Sequence, residues 1–292
     1  MYVVRMKKIL ITGASGLLGN DLVCTLSPHY NILATSKTKQ NQSVEVLDIR
    51  SRKDVIDIVN TFKPSIIINC AAYTSVDKAE NNKKYARDTN VVGLYNLVKS
   101  ISEDTKIIHI SSDYVFDGSK GDYTEKDFPC PINYYGKTKL EAENLLSTSN
   151  LNYLIVRPNV LYSNDLSKEH FLSWIVSSLS EKKQLEIAID QISNPTYVPD
   201  LTQLIFDAIL LDYTGILHMG SEDYISRYDF AVKVADIFGF DRKMLIPVDS
   251  STLNQKAKRP LNSSLNCNKL KTALNVELYP TEYGIRRANL SI

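Results

Sequence analysis

The sequence predicts an α/β protein, a doubly wound parallel sheet with a smaller mixed lobe in its C-terminal part. Three observations carry that expectation. Short aliphatic runs alternate with amphipathic stretches through the first half of the 292-residue chain. The runs lack polar alternation, as strands do when helices cover both faces of a sheet. Beyond about residue 157 the pattern loosens, broken by Pro158, Pro195, Pro199, Pro247, Pro260 and Pro280.

The elements follow in order. Lys8-Ile9-Leu10-Ile11-Thr12 reads as a buried strand, and residues 16–27 as the helix after it. Ile32-Leu33-Ala34-Thr35 and Val44-Glu45-Val46-Leu47 are two further strands. Residues 51–62 have helical spacing and stop ahead of Pro64, since the residue before a proline is pushed out of the helical region. Ser65-Ile66-Ile67-Ile68-Asn69 is a strand, residues 83–102 a long helix, and Lys106-Ile107-Ile108-His109-Ile110 the next strand. Later strands are expected near 152–157 and 215–219, with helices over 168–181, 200–211 and 227–238. The domains predicted are residues 1–157 and a lobe of 158–292, with some C-terminal segments returning to the first.

Composition narrows the function. With 34 Lys+Arg against 33 Asp+Glu the net charge is +1, too little field for a general nucleic-acid binder. No apolar run approaches the ~18–20 residues that span a bilayer. The opening Met-Tyr-Val-Val-Arg-Met-Lys-Lys has no long apolar region or cleavage site, so a cytoplasmic protein is expected, and Met6 is an alternative start. Cys24, Cys70, Cys130 and Cys267, like His29, His109, His170 and His218, are scattered without ligand spacing, so no metal site is expected.

Thr12-Gly13-Ala14-Ser15-Gly16-Leu17-Leu18-Gly19 leaves the first strand and opens the first helix. Glycines at this spacing allow a tight turn, a close backbone approach to a pyrophosphate and close packing of helix on strand. The helix N-terminus adds free N–H groups and partial positive charge. The fold expected is therefore Rossmann-like, and the ligand a dinucleotide. At the end of the second strand an acid would bind the ribose hydroxyls of NAD, but here stand Thr35-Ser36-Lys37-Thr38-Lys39. Hydroxyl and ammonium donors at Ser36 and Lys37 point to NADP(H), with NADH left open and solvated surface lysines as the plain alternative. Asp48 either reads an adenine amino group or caps the helix that starts near residue 51.

Tyr135 and Lys139 are four residues apart, on one helical face. A phenol of pKa about 10 is a poor acid–base catalyst at neutral pH, and lowering it by ~3 units takes roughly 4 kcal/mol. A neighbouring ammonium supplies much of that. Ser111-Ser112 ends a strand, where α/β folds place ligands, so Ser112 either orients a carbonyl or closes the strand.

Taken together these residues resemble the extended short-chain dehydrogenase/reductases, and among them the dTDP-4-dehydrorhamnose reductase family. The resemblance covers most of the chain. It rests on Asn69-Cys70-Ala71-Ala72-Tyr73-Thr74-Ser75-Val76-Asp77-Lys78-Ala79-Glu80, Ser111-Ser112-Asp113-Tyr114-Val115-Phe116-Asp117-Gly118 and Tyr135-Gly136-Lys137-Thr138-Lys139-Leu140-Glu141. Asp190-Gln191, Pro195-Thr196, Arg259-Pro260 and Asn262-Ser263 continue it.

The resemblance implies hydride transfer from a nicotinamide to the C4 ketone of a nucleotide-linked 4-keto-6-deoxy sugar, with a nucleotide sugar as the partner molecule. Tyr135 is then the proton donor, Lys139 tunes it and holds the nicotinamide ribose, and Ser112 orients the carbonyl. Gly13, Gly16, Leu17 and Leu18 line the pyrophosphate, Asp48 and Ile49 flank the adenine, and Ala71, Ala72 and Tyr73 the ribose–nicotinamide path. Asp113 and Tyr114 face the sugar. Arg259 is a candidate for the substrate diphosphate through bidentate contacts, a structural ion pair being its other reading. One departure concerns Val160, which stands where the reductases carry a Trp against the sugar ring and offers less flat surface. The choice of base and sugar stays open. The regulatory subunit of methionine adenosyltransferase is similar too, which would make the chain an NADP-binding partner of an adenosyltransferase with little turnover. A homodimer is also left open.

Overall fold

The computed structural model describes residues 6–39 and 43–290, so the first five residues, and with them the question of the start, lie outside the described residues. The first half alternates as expected. Strand β1 (Lys8–Thr12) leads to helix α1 (Leu17–Leu26), then strands β2 (Asn31–Ser36) and β3 (Glu45–Val46). Helix α2 (Arg52–Phe62) starts at Ser51, whose hydroxyl accepts the Asp54 N–H at 3.4 Å. It ends on Lys63, left-handed at φ 53°, so the chain has left the helix before Pro64. Strand β4 (Ile66–Asn69) and helix α3 (Val76–Asn81) follow.

The long helix expected over 83–102 is observed in three parts. Helix α4 (Lys83–Arg87) passes into a π-helical turn at Asp88–Val92 and resumes as α5 (Gly93–Val98). Strand β5 (Lys106–Ile110), helix α6 (Tyr134–Ser147) and strand β6 (Tyr153–Pro158) complete this part.

Among the described residues the large sheet has seven strands, in the order Gly215–Met219, β6, β5, β4, β1, β2, β3. The pairs from β6 through β3 are parallel, with Thr12 opposite both Thr35 and Asn69, and Asn69 opposite His109. This register aligns the carboxyl ends of β1, β4 and β5. The order reverses between β1 and β4, and ligands of doubly wound sheets bind outside the strand ends at such a switch point. Leu10, Ile67, Ile107 and Ile155 pack with Val55, Val59, Leu94, Leu97, Ala142 and Leu146 into one buried cluster. Each such side chain contributes on the order of 1.5–3 kcal/mol by leaving water.

The chain forms two compact units. One holds residues 1–111, 134–156 and 202–216, the other 112–133, 157–201 and 217–292. The strand expected near 215–219 is observed as Gly215–Met219, beside β6 in the large sheet. Residues 112–133, grouped with the first domain on sequence, fall in the second unit instead. Their backbone explains it: Tyr123 N–H donates to Ser264 O at 2.9 Å, Asn266 N–H to Tyr123 O at 2.8 Å and Asn262 N–H to Gly118 O at 3.0 Å. Partners some 140 residues away leave no local signal.

The second unit has helices at Phe171–Ser180, Arg227–Phe238 and Thr281–Leu290, with the strands Leu185–Ala188 and Leu245–Val248 paired in parallel. Tyr162, Leu172, Ile175, Phe230, Val234 and Ile285 belong to its core. No helix among the described residues is long and apolar enough to cross a membrane.

Candidate active site

The glycine turn after β1 is built for close approach. Gly13 sits at φ +69°, and a Cβ on it would lie 2.6 Å from Ala71 N, so the turn presses on the segment leaving β4. Thr12 reinforces this, accepting the Ala71 N–H at 3.4 Å and donating to Asn69 Oδ1 at 2.6 Å. Gly19 is equally constrained, since a Cβ there would run into Gly13 O. Gly16, the N-cap of α1, differs: its φ is −76°, and a Cβ would meet only Gly13 O, at 3.2 Å. No side chain caps α1, as none caps α3 or the helix Asn268–Leu274, whereas Ser51 and Ser226 cap their helices. An uncapped helix start behind open space is what a pyrophosphate requires, so Gly13, Gly16, Leu17 and Leu18 fit a dinucleotide.

Cations and aromatic rings gather just beyond the end of β2. Lys37 Nζ bonds to Tyr85 Oη and lies 5.0 Å from its ring centroid. The Arg50 guanidinium lies 4.4 Å from the same ring and forms a two-pronged pair with Asp48, Nε to Oδ1 being 2.9 Å. That pair holds the Asp48 carboxyl below its usual range. Tyr73 meets Tyr85 edge-on at 5.5 Å. Sequence reading named Lys37, Asp48 and Tyr73 and did not name Arg50 and Tyr85. Ser36 is buried and donates to its own loop at Thr38 O. Ile49 is buried against Gly93.

The π turn has a structural result. It places Asn90, 1% exposed, where its Oδ1 accepts the Tyr73 N–H at 2.7 Å. Its Nδ2 donates to Tyr73 O at 3.2 Å and to Thr138 Oγ1 at 2.8 Å. Thr138 in turn donates to Tyr135 O at 2.7 Å. Asn90 therefore ties the Ala71–Tyr73 segment to the first turn of α6, a use of a π-bulge common at functional sites. Glu80 Oε1 accepts the Tyr134 N–H at 2.8 Å and so caps α6.

Tyr135 and Lys139 share one face of α6, and both are buried. Lys139 Nζ donates to Ile110 O, at the carboxyl end of β5, at 2.6 Å. Burial lowers the ammonium to about 8, while Glu143 and Cys70 act the other way. The Cys70 thiol is itself pushed up to about 12 by burial.

In the second unit Ser112 caps a short 3₁₀ turn, accepting the Tyr114 N–H at 3.2 Å and donating to Asp113 Oδ1 at 2.9 Å. Burial raises the Asp113 carboxyl to about 6, against hydrogen bonds from Ser263 and Ser112 and the pull of the Arg227 charge. Burial raises the Tyr114 phenol too, with Arg227 and Arg259 opposing. Ser112, Asp113 and Tyr114 thus form one cluster, and the Arg259 charge acts on Tyr114. Arg227, which lies 4.9 Å from the Phe171 ring centroid, joins it without having been foreseen. Arg259 Nη1 donates to Ala257 O at 2.9 Å. Val160 lies in the loop after β6 at φ +24°, an outlying backbone for a β-branched residue. Among the described residues no group of three or more His, Cys, Asp or Glu is placed to hold a metal.

A doubly wound sheet, a glycine turn at its switch point and a buried Tyr-x-x-x-Lys helix define the extended short-chain dehydrogenase/reductases. The chain belongs, within that class, to the dTDP-4-dehydrorhamnose reductase family: the family described as RmlD substrate binding domain matches residues 6–289. The chain is 34% identical over 288 residues to dTDP-4-dehydrorhamnose reductase of Aggregatibacter actinomycetemcomitans, covering 93% of this chain and 95% of the relative. It is 30% identical over 294 residues to methionine adenosyltransferase 2 subunit beta of Rattus norvegicus, covering 98% and 88%. The solved dTDP-4-dehydrorhamnose reductase of Bacillus anthracis str. Ames in complex with NADP superposes with a TM-score of 0.91 at 31% identity, covering 98% of this chain and 100% of the other.

Proposed function

We propose that the chain is an NADPH-dependent reductase acting on the C4 ketone of a nucleotide-linked 4-keto-6-deoxy sugar, in the manner of dTDP-4-dehydrorhamnose reductase. The observation that carries this reading is the α6 pair: a buried tyrosine one turn from a buried lysine whose Nζ is fixed on Ile110 O at the carboxyl end of β5. Family membership and the likeness to a reductase solved with NADP support it.

Bound NADPH supplies the hydride. In this reading the uncapped start of α1 and the turn at Gly13 and Gly16 hold the pyrophosphate, and Ala71, Ala72 and Tyr73 border the ribose and nicotinamide. Ser112 donates to the ketone oxygen. Tyr135 Oη gives its proton to that oxygen as the C4–H bond forms. The Lys139 ammonium, one turn along the helix, stabilises the phenolate left behind. Asp113 and Tyr114 contact the sugar, with Val160 beside it in place of an aromatic ring. Arg259 binds the diphosphate. The first unit is thus the cofactor-binding domain and the second the substrate-binding lobe.

The test is NADPH oxidation with a panel of dTDP-, UDP-, GDP- and CDP-linked 4-keto-6-deoxy sugars. Turnover of at least one is expected. Tight NADPH binding with no consumption on any of them would overturn the reductase reading. Co-purification of an adenosyltransferase in that case would move the chain to the binding role named in its 30%-identical rat relative.

Cofactor choice has its own test. Lys37 and Arg50 bring two cations to the face of Tyr85, a setting for a 2′-phosphate. Lys37→Glu and Arg50→Ala are each expected to weaken NADPH binding about tenfold or more, the scale of one charge-assisted contact, with NADH binding little changed. Isothermal titration with both cofactors measures this. Equal losses for both would show that neither side chain reads the 2′-phosphate.

A further inference from the structure

The reaction as derived uses Tyr135 and Lys139 but leaves a buried acid on the same helix unexplained. Glu143 is one turn beyond Lys139 on α6 and is 2% exposed. Its Oε1 accepts the hydroxyl of Ser111, the residue directly after β5. Ser111 is itself 4% exposed, and its N–H donates to Val156 O at 2.7 Å. Lys139 is held by Ile110 O, one residue before Ser111. The end of β5 therefore grips both side chains, the lysine through a carbonyl and the glutamate through a hydroxyl.

Burying an acid this deeply is costly unless it serves a partner charge. The titratable neighbours of Lys139 are Tyr135 and Glu143 on its own helix, Cys70 just after β4 and His109 on β5. Cys70 is a neutral thiol at physiological pH, since burial raises it to about 12. His109 is neutral as well, held well below its ordinary value by burial and by the Lys139 charge. Geometry agrees: Thr12 donates to Asn69 Oδ1 at 2.6 Å, which turns Asn69 Nδ2 towards His109 Nδ1 at 3.2 Å, so that ring nitrogen accepts. A protonated imidazole would set donor against donor. Glu143 is the carboxyl group among these neighbours, and it accepts the Ser111 hydroxyl.

We propose that Glu143, fixed by Ser111, is a positioning residue that keeps the buried Lys139 in its ammonium form. The inference rests on the reading of Tyr135 and Lys139 as the proton-donating pair, and it deepens that reading. Desolvation pulls Lys139 towards the neutral amine, and a carboxylate one turn away pulls it back. Without the ammonium the phenolate left by proton transfer loses its support. With Lys139 titrating near 8, a modest further drop would empty the ammonium form within the physiological range.

The sign follows directly. Removing the negative charge at Glu143 lets Lys139 lose its proton at lower pH, so the alkaline limb of kcat/KM shifts acidwards. Glu143→Gln keeps the size of the side chain and an acceptor for Ser111. Its expected effect is a limb moved by about one pH unit, tenfold in proton concentration, with the acidic plateau retained. Ser111→Ala removes the fixing hydroxyl and is expected to move the limb the same way by less. A purely structural role predicts instead a rate scaled equally at all pH values.

A second readout does not depend on turnover. In full-length protein carrying ¹³C-lysine, the Lys139 Cε resonance, assigned by its loss in Lys139→Met, is followed with pH without cofactor. A midpoint lowered about tenfold in proton concentration in Glu143→Gln supports the proposal, and a smaller drop in Ser111→Ala supports it again. An unmoved midpoint in both variants overturns it. If no sugar is reduced but the midpoint still moves, the charge coupling stands and the reductase reading is what fails.

Discussion

Tyr135→Phe is expected to lower NADPH-dependent ketone reduction by about 10²–10⁴-fold, the contribution of a positioned general acid, while leaving NADPH affinity unchanged. Tyr135 is 9% exposed, and its backbone is held by Thr138 and through it by Asn90. Phenylalanine keeps the ring and this backbone hold and removes only the hydroxyl. The start of α6 is secured independently by Glu80 on the Tyr134 N–H. Hence kcat falls while KM for NADPH does not, and the melting temperature stays near that of the parent. Steady-state kinetics with a substrate that the parent reduces, beside fluorescence titration of NADPH, separates the two. A variant that turns over at the parental rate would remove Tyr135 from the chemistry. One that loses NADPH affinity and rate together would make it a binding residue.

The sheet was legible because its determinants are local. Ile66-Ile67-Ile68 and Ile107-Ile108 lie in buried strands of four and five residues, and the glycine turn follows β1 in the setting where its spacing has meaning. The pair Tyr135 and Lys139 was legible for the same reason, a period of four on one helix. What stayed hidden depends on distant partners. Nothing in Asp88-Thr89-Asn90-Val91-Val92 announces a π turn; it exists because Asn90 bonds to Tyr73 and to Thr138, residues 17 and 48 positions away. Arg50 and Tyr85 meet around a ring through tertiary packing, so neither stands out in sequence. Glu143 is one polar residue among several on α6, and only its burial beside Ser111 sets it apart. The segment 112–133 shows the same limit at larger scale, since its backbone partners lie beyond residue 260.

The glycine turn yields the second large effect, and two neighbouring glycines should fail in different ways. Gly13→Val places a β-branched side chain at φ +69°, with its Cβ 2.6 Å from Ala71 N and 2.8 Å from Ala71 Cα. Both contacts are backbone, so neither can swing aside. Left-handed strain alone costs about 1–2 kcal/mol, and the clash takes the total to about 3 kcal/mol or more. At roughly 2–4 °C per kcal/mol for a domain of this size, the melting temperature should drop by about 10 °C, with cofactor binding lost as well. Gly16→Ala is different. Its φ of −76° suits any residue, and the added methyl meets only Gly13 O at 3.2 Å before reaching open space. Its melting temperature without cofactor should therefore stay within about 1 kcal/mol equivalent of the parent. If that space holds the pyrophosphate, the methyl stands where phosphate oxygens approach the helix N-terminus, and the stabilisation that saturating NADP gives the parent should largely vanish. Thermal denaturation with and without NADP reads both variants in one experiment. A Gly16→Ala protein that NADP stabilises as fully as the parent would show that the ligand does not enter this turn, and the dinucleotide assignment of Gly13, Gly16, Leu17 and Leu18 would fall with it.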